Sequence, residues 1–266
     1  RGIADADLEI EGTWNAITIK GVARTNGSDL KSDALSLQQF NLTAPFAWAN
    51  STLHANEVRI QGKTLAWTES NFKLAAEDLE FVGALELKSN ETMKTTGKVR
   101  LLGGRYASSD GSKMGENFVL AGHFDITHGE KNIFSVTGSL NAEEGEILWE
   151  KFFGDFRSQK PSIDFDGDYI ANQDALQLRR LDLSLATIGK VGLVGTVQQI
   201  SQKPIARVQV TGEDLQPSNV FDFFIRETLS RNYPILDQLT IGGRVGLAAQ
   251  VSGALDDLSV DGNLQV

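Results

Sequence analysis

The chain has 266 residues, with 35 acidic against 25 basic side chains, a net charge of −10 and no cysteine. That balance excludes a basic stripe able to neutralise many phosphates, so neither nucleic acid nor an anionic membrane surface is an expected partner. The missing cysteine excludes disulfides, thiolate nucleophiles and Cys-ligated metals.

Hydrophobic residues make up 41% and charged residues 23%, which is the composition of ordered protein. The length allows one large domain or two small ones. Glycine is abundant at 26 and proline scarce at 5, a pairing that points to long strands joined by tight turns.

Arg1 opens directly into alternating pattern, with no leader-like apolar run. Writing Φ for an apolar residue, the unit Φ-x-Φ-x-Gly-x-Φ occurs as LEIEGTW (8–14), ITIKGVA (17–23), LEFVGAL (79–85), FSVTGSL (134–140) and IDFDGDY (163–169). It returns as VGLVGTV (191–197), LTIGGRV (239–245), AQVSGAL (249–255) and LSVDGNL (258–264). Alternation at period two is the mark of half-buried strands. The irregular spacing of the copies argues against a fixed-period solenoid. Glycine on the apolar face of a strand packs little and marks a bulge, a bend or a close approach; repeated, it would let a sheet curl toward that face.

Residues 34–56 are free of charge but rich in Gln, Asn, Ser and Thr, so they cannot supply the ~20 apolar residues of a membrane span. Residues 103–115 are the most loop-like stretch; a long hairpin loop is the economical reading, with sub-blocks 1–102 and 116–266 around it as the other. His54, His123 and His128 lack the four-residue helical spacing or zinc-knuckle spacing of a metal site and read as surface residues. Residues 147–156 carry Leu148, Phe152 and Phe156 every four residues, the pattern of a short helix.

Asp164, Asp166 and Asp168 resemble the start of a calcium loop, but the required Gly and Glu are replaced by Tyr169 and Ala175, so a polar strand face is expected. Glu143-Glu144 and Asp256-Asp257 are turn-like carboxylate pairs, and no P-loop or nucleophile elbow is present. No catalytic constellation, metal site or cofactor is expected.

Residues 217–233 break the alternation. Ser218 and Asn219 are candidate N-caps, Phe221, Phe224, Ile225 and Leu229 fall at helical spacing, and Pro234 closes an amphipathic helix of about four turns. From Leu239 every odd position to Leu255 is apolar or glycine, and so long a strand is expected to bend or break near Gly243. The parity then flips to Leu258, Val260, Gly262, Leu264 and Val266 across an Asp256-Asp257 turn, which makes a hairpin. The pattern is still running at Val266, and the chain reads as a segment of something longer.

The block from Leu176, with LQLRRLDLSL, VGLVGTV, VQVTGEDLQPSNVFDFFIRETLSRNYPIL and the closing hairpin, resembles the AsmA-like superfamily of Gram-negative envelope proteins, of the TamB and YdbH kind. It covers residues 176–266 well and the rest by style. The resemblance implies a mainly β chain, a long curled antiparallel sheet forming an open hydrophobic groove with one or two short amphipathic helices, continuous over 1–266. It also implies a periplasmic location, an inner-membrane anchor outside this segment, and a groove that carries phospholipid acyl chains between inner and outer membranes through further parts of a larger protein. No catalytic residues come with it.

The inward candidates are Leu181, Leu183, Leu185, Val191, Leu193, Val197, Val208, Val210, Ile241, Val245, Leu247 and Val251. A closed barrel or sandwich core would produce the same alternation. Rival functions are a scaffold for outer-membrane protein assembly that adds strands at sheet edges, an outer-membrane barrel or adhesin, and a β-helical polysaccharide enzyme.

Overall fold

The computed structural model describes residues 3–13, 16–89, 91–129, 132–149, 152–226, 229, 233–254 and 257–265. The chain is mainly β and divides into two units, Arg1–Glu130 and Lys131–Val266.

The first unit holds β1 (Ile3–Thr13), β2 (Ala16–Lys31), β3 (Leu35–Ala49), β4 (Thr52–Thr68), β5 (Phe72–Lys88), β6 (Met93–Ser108) and β7 (Lys113–His128). Each strand pairs antiparallel with the next. The expected long loop at 103–115 is instead the end of β6, a four-residue turn and the start of β7. Asp110 makes so short a connection workable: its carboxylate accepts from the Ser108 hydroxyl at 2.6 Å and from Ser112 N–H at 3.0 Å, closing the turn on itself.

The strands of this unit are long, and their alternation slips by one residue at defined points. β3 runs Leu35, Leu37, then Gln39 at φ 48°, then Phe40 and Leu42. β4 slips twice, at Glu57 (φ 55°) and Thr64 (φ 53°), and β7 once, at Asn117 (φ 57°). These are bulges with a left-handed residue, which insert one extra position without turning the strand over. The pairing confirms it: Leu37 sits opposite Leu65 before the slip and Leu42 opposite Ile60 after it. One face therefore stays apolar although the sequence changes parity.

The second unit holds β8 (Ile133–Trp149), β9 (Phe152–Asp155), α1 (Phe156–Gln159), β10 (Ser162–Ile170), β11 (Ala175–Leu185), β12 (Gly189–Gln198) and β13 (Ile205–Leu215). It continues with α2 (Pro217–Phe221), a π-helical turn Asp222–Arg226, a 3-10 turn Pro234–Gln238, β14 (Val245–Ala254) and β15 (Asp257–Gln265). The strand order is β8-β10-β11-β12-β13-β14-β15, with β9 folded beside β8. Among the described residues no pairing joins β1 to β7 or β8 to β15, so each unit is an open antiparallel sheet and not a closed barrel.

Three local expectations are corrected. The helix expected at 147–156 is the end of β8 followed by β9, and only Phe156–Gln159 is helical. Residues four apart share a face in a strand as well as in a helix, so Leu148 and Phe152 could not decide between them. The second helix does begin at Pro217, but its cap is Gln216 and not Ser218 or Asn219; the Asn219 amide instead donates to Gln216 Oε1 at 2.9 Å. Residues 227, 228 and 230–232 of that expected helix lie outside the described residues. The strand expected from Leu239 begins only at Val245. Its partner β13 ends at Leu215, opposite Val245, and the chain then turns into α2 at Pro217, so residues 239–244 have no strand to pair with.

Burial is shallow throughout. Among the described residues the buried apolar side chains are Leu37, Ala55 and Ala76 in the first unit and Ala175, Ile188, Ala206, Val208, Phe221 and Phe223 in the second, and no large side chain is fully enclosed. The accessible surface is 17077 Å², whereas a compact globule of this mass would expose about 11,000 Å². The apolar faces have no second layer over most of their length.

Candidate functional site: an uncovered apolar face

The cross-strand register of the second unit turns period-two sequence into rows that run perpendicular to the strands. One row is Leu140, Ile163, Leu183, Val191, Gly212, Leu247 and Leu264. The next is Gly138, Phe165, Leu181, Leu193, Val210, Ala249 and Gly262. A third is Val136, Gly167, Leu178, Gly195, Val208, Val251 and Val260, and a fourth is Phe134, Tyr169, Leu176, Val197, Ala206, Gly253 and Leu258. At ~4.8 Å between strands each row spans about 29 Å.

The rows take in Leu181, Leu183, Val191, Leu193, Val197, Val208, Val210, Leu247 and Val251 from the sequence candidates. Leu185, opposite Gly189, and Val245, opposite Leu215, sit on the same face at its margin. Ile241 does not belong: it lies in the irregular segment before β14 and is 37% exposed. The groove candidates left out Leu140, Phe165, Leu176, Leu178 and Leu264, although the same alternation marks them. In β11 the signal is interrupted by Arg179-Arg180, where a bulge holds Leu178 and Leu181 on one face.

Most of these side chains are only half-buried, and those of β15 are exposed, Val260 at 66% and Leu264 at 70%. From β11 to β15 the rows contain only aliphatic residues, alanine and glycine; their aromatic members, Phe134, Phe165 and Tyr169, are confined to β8 and β10.

The first unit has comparable rows, such as Leu42, Ile60, Phe81, Val99 and Gly122, and Phe46, Ala55, Leu85, Thr95 and Ile126. Here each row carries a ring, and the rings lie over glycines. Phe81 lies across Gly97 so closely that a Cβ added there would be 2.2 Å from its ring, and it stacks on Phe124 at 5.7 Å between centroids. Trp67 meets Phe72 edge-on at 5.7 Å, at one strand end of the face.

The opposite face of the second unit is polar. Arg179 Nη2 reaches Asp166 at 2.5 Å and its Nη1 pairs with Asp168, which in turn accepts from Ser135 at 2.6 Å. The Arg179 guanidinium is the main cause of a depressed Asp166 pKa, and Asp182 at 2.9 Å raises that of Lys190. The Asp-x-Asp-Gly-Asp stretch is thus clasped by an arginine from the neighbouring strand. His123 is exposed in β7, while His128 closes that strand with Nδ1 3.1 Å from the Glu91 carbonyl. Among the described residues no group of three or more His, Asp or Glu is placed to hold a metal ion. No helix among them is long and apolar enough to cross a membrane.

One end of the second unit's strands is furnished with helices. Phe223 lies against Gly154 of β9 and beside Ile147 of β8, Arg226 stands 5.2 Å over the Phe221 ring, and Gln216 N–H donates to the Ile188 carbonyl at 2.8 Å. The Gln159 carbonyl and side chain are tied to the β11–β12 turn: Ala186 N–H donates to the Gln159 carbonyl at 2.8 Å and the Thr187 hydroxyl to Gln159 Oε1 at 2.7 Å. Between these pieces lies a cleft of about 410 Å³. No known protein family, curated protein or solved structure matches the chain.

Proposed function

We propose that the apolar face of the second unit shields the acyl chains of phospholipids, and that the chain is a segment of a periplasmic carrier moving them between inner and outer membranes. The observation that carries this reading is the set of four uninterrupted apolar rows left uncovered by any second layer. A large exposed apolar patch marks a surface that meets a partner. The resemblance of residues 176–266 to AsmA-like proteins supports the same reading.

The energetics favour such a surface. Burying a methylene is worth ~0.8 kcal/mol, so exposing two chains of about sixteen carbons to water costs at most on the order of 20 kcal/mol. A trough of near-equivalent aliphatic rows offsets much of that at each step without a deep well to trap the lipid. It needs no reacting group.

The test is lipid extraction and mass spectrometry of the purified chain. Phospholipid should co-purify with the wild type and fall at least tenfold in Leu193→Asp and Val251→Asp. Lipid no higher than in a control protein of equal size would end the proposal. A second reading, strand addition to a nascent barrel, is favoured by β1 and β15, whose residues are exposed throughout. Backbone cross-links from β15 to a partner strand, with no lipid on the rows, would select it.

A further inference from the structure

We infer that the cleft between α1, the β11–β12 turn and the helical segment after β13 is a binding site for a neutral, hydroxyl-rich group of about monosaccharide size. Its lining is Phe153, Asp155, Ser158, Gln159, Thr187, Asn219, Asp222 and Phe223, and its 410 Å³ falls at the small end of ligand pockets, which run from about 300 to 1,000 Å³.

Charge decides the ligand class. Two carboxylates on the wall exclude an anion. Each already has its own cation: Arg157 holds Asp155 through Nε and Nη2, and Arg226 Nη1 holds Asp222 Oδ1 at 2.5 Å. A cationic ligand would meet charges that are neutralised. A carboxylate has about four acceptor positions, more than one arginine contact fills, so Asp222 can also accept from a hydroxyl.

Gln159 supplies the complementary donor. The residue is 7% exposed, its Oε1 is taken by Thr187, and its amide nitrogen donates to no described group although it lines the cleft. Its amide N–H is free to donate to a ligand oxygen. Ser158 and Thr187 hydroxyls can donate or accept. The Phe153 ring, 42% exposed, adds surface for the apolar C–H face of a sugar. Donors, acceptors and aromatic faces without net charge are what a polyol requires.

The group could come from a free saccharide or from the headgroup of a glycolipid. The inference does not depend on the acyl-chain reading. The experiment is an amide-resolved NMR titration of the whole 266-residue chain with three probes: methyl β-glucoside, octyl β-glucoside below its micelle-forming concentration, and tetramethylammonium chloride. Both glucosides should move the Gln159 side-chain amide, and the ammonium should not. Equal affinities would indicate a free sugar; octyl glucoside binding at least tenfold tighter would indicate a lipid headgroup.

Both glucosides should also move the Ser158 and Thr187 backbone amides, and Gln159→Leu should abolish those shifts. Should that variant lose its folded spectrum, Ser158→Ala, at an exposed position, should weaken binding about three- to tenfold, the loss of one hydrogen bond. The proposal is overturned if neither glucoside moves Gln159, or if only tetramethylammonium does. It is also overturned if octyl glucoside moves only row residues such as Leu193 and Val251, an outcome that would leave the acyl-chain reading standing.

Discussion

The two units solve one problem, a sheet with a single apolar face and nothing over it, by different means. The first uses strands of up to 17 residues, a left-handed residue at many of its parity slips, and aromatic rings that lie over glycines. The second uses strands of 9 to 11 residues in β10–β15, mostly unbroken alternation, aliphatic rows, and helices packed at one end of its strands. In the first, side chains shield the face from one strand to the next. In the second the face is left smoother and more open. An uncovered sheet is therefore stabilised either by its own rings or by caps at its strand ends.

The sharpest way to break that comparison is at the glycines. In Gly97→Val the new side chain meets the Phe81 ring, with the Cβ already 2.2 Å from it, so overpacking should cost about 3 kcal/mol. At Gly246, where the nearest atom to an added Cβ is 3.8 Å away, Gly246→Ala should stay within ~0.5 kcal/mol of wild type. Urea unfolding of both variants checks the contrast, and equal losses would remove it.

A smaller difference should separate Phe81→Ala from Leu193→Ala. Phe81 carries the contact over Gly97 and the stack on Phe124, and its truncation should cost about 2–4 kcal/mol. Leu193 is half-buried among aliphatic neighbours and should cost ~1–2 kcal/mol. Thermal unfolding followed by near-ultraviolet circular dichroism reads both.

Smaller still is the polar clasp. Arg179 is 41% exposed and Asp166 31%, so Arg179→Met should lose no more than ~1 kcal/mol, and the loss should shrink further in high salt. Because Arg179 depresses the Asp166 pKa, what this pair adds is present above the unfolded carboxylate value near 4 and declines as pH falls through the lower folded value.

The smallest effect is local to the β6–β7 turn. The Ser108 hydroxyl, followed by the Ser112 N–H and hydroxyl, lowers the Asp110 pKa to about 2. Amide protection of residues 109–112 should therefore be full above about pH 4 and fall toward pH 2, and Asp110→Ala should remove the pH dependence. Hydrogen exchange measures it.

How far the fold could be read in advance differs between the units for the same physical reason. In β12, β14 and β15 each side chain alternates without interruption, and the candidate rows follow directly from the letters. In β3, β4 and β7 the slips at Gln39, Glu57, Thr64 and Asn117 break the periodicity that a reader counts, and of these residues only Asn117 is a type that favours a positive φ. Ile241 shows the opposite failure. Its parity is perfect, but pairing is a property of two strands, and the partner had already left for a helix. The cleft beside Gln159 had no sequence signal, because its walls come from α1, the β11–β12 turn and the segment after β13, far apart along the chain.

The bulges carry one more consequence, for how such a chain finds its register. A hairpin built from pure alternation can slide by two residues and still present the same face, so a ladder of similar strands has many nearly equivalent misalignments. A single extra residue in a left-handed conformation ends that degeneracy, since it fits its partner at one offset and is out of step at every other. Gln39, Glu57, Thr64 and Asn117 act as notches cut in otherwise interchangeable rods. All four stand in strands of 15 to 17 residues, which have many wrong offsets to choose from.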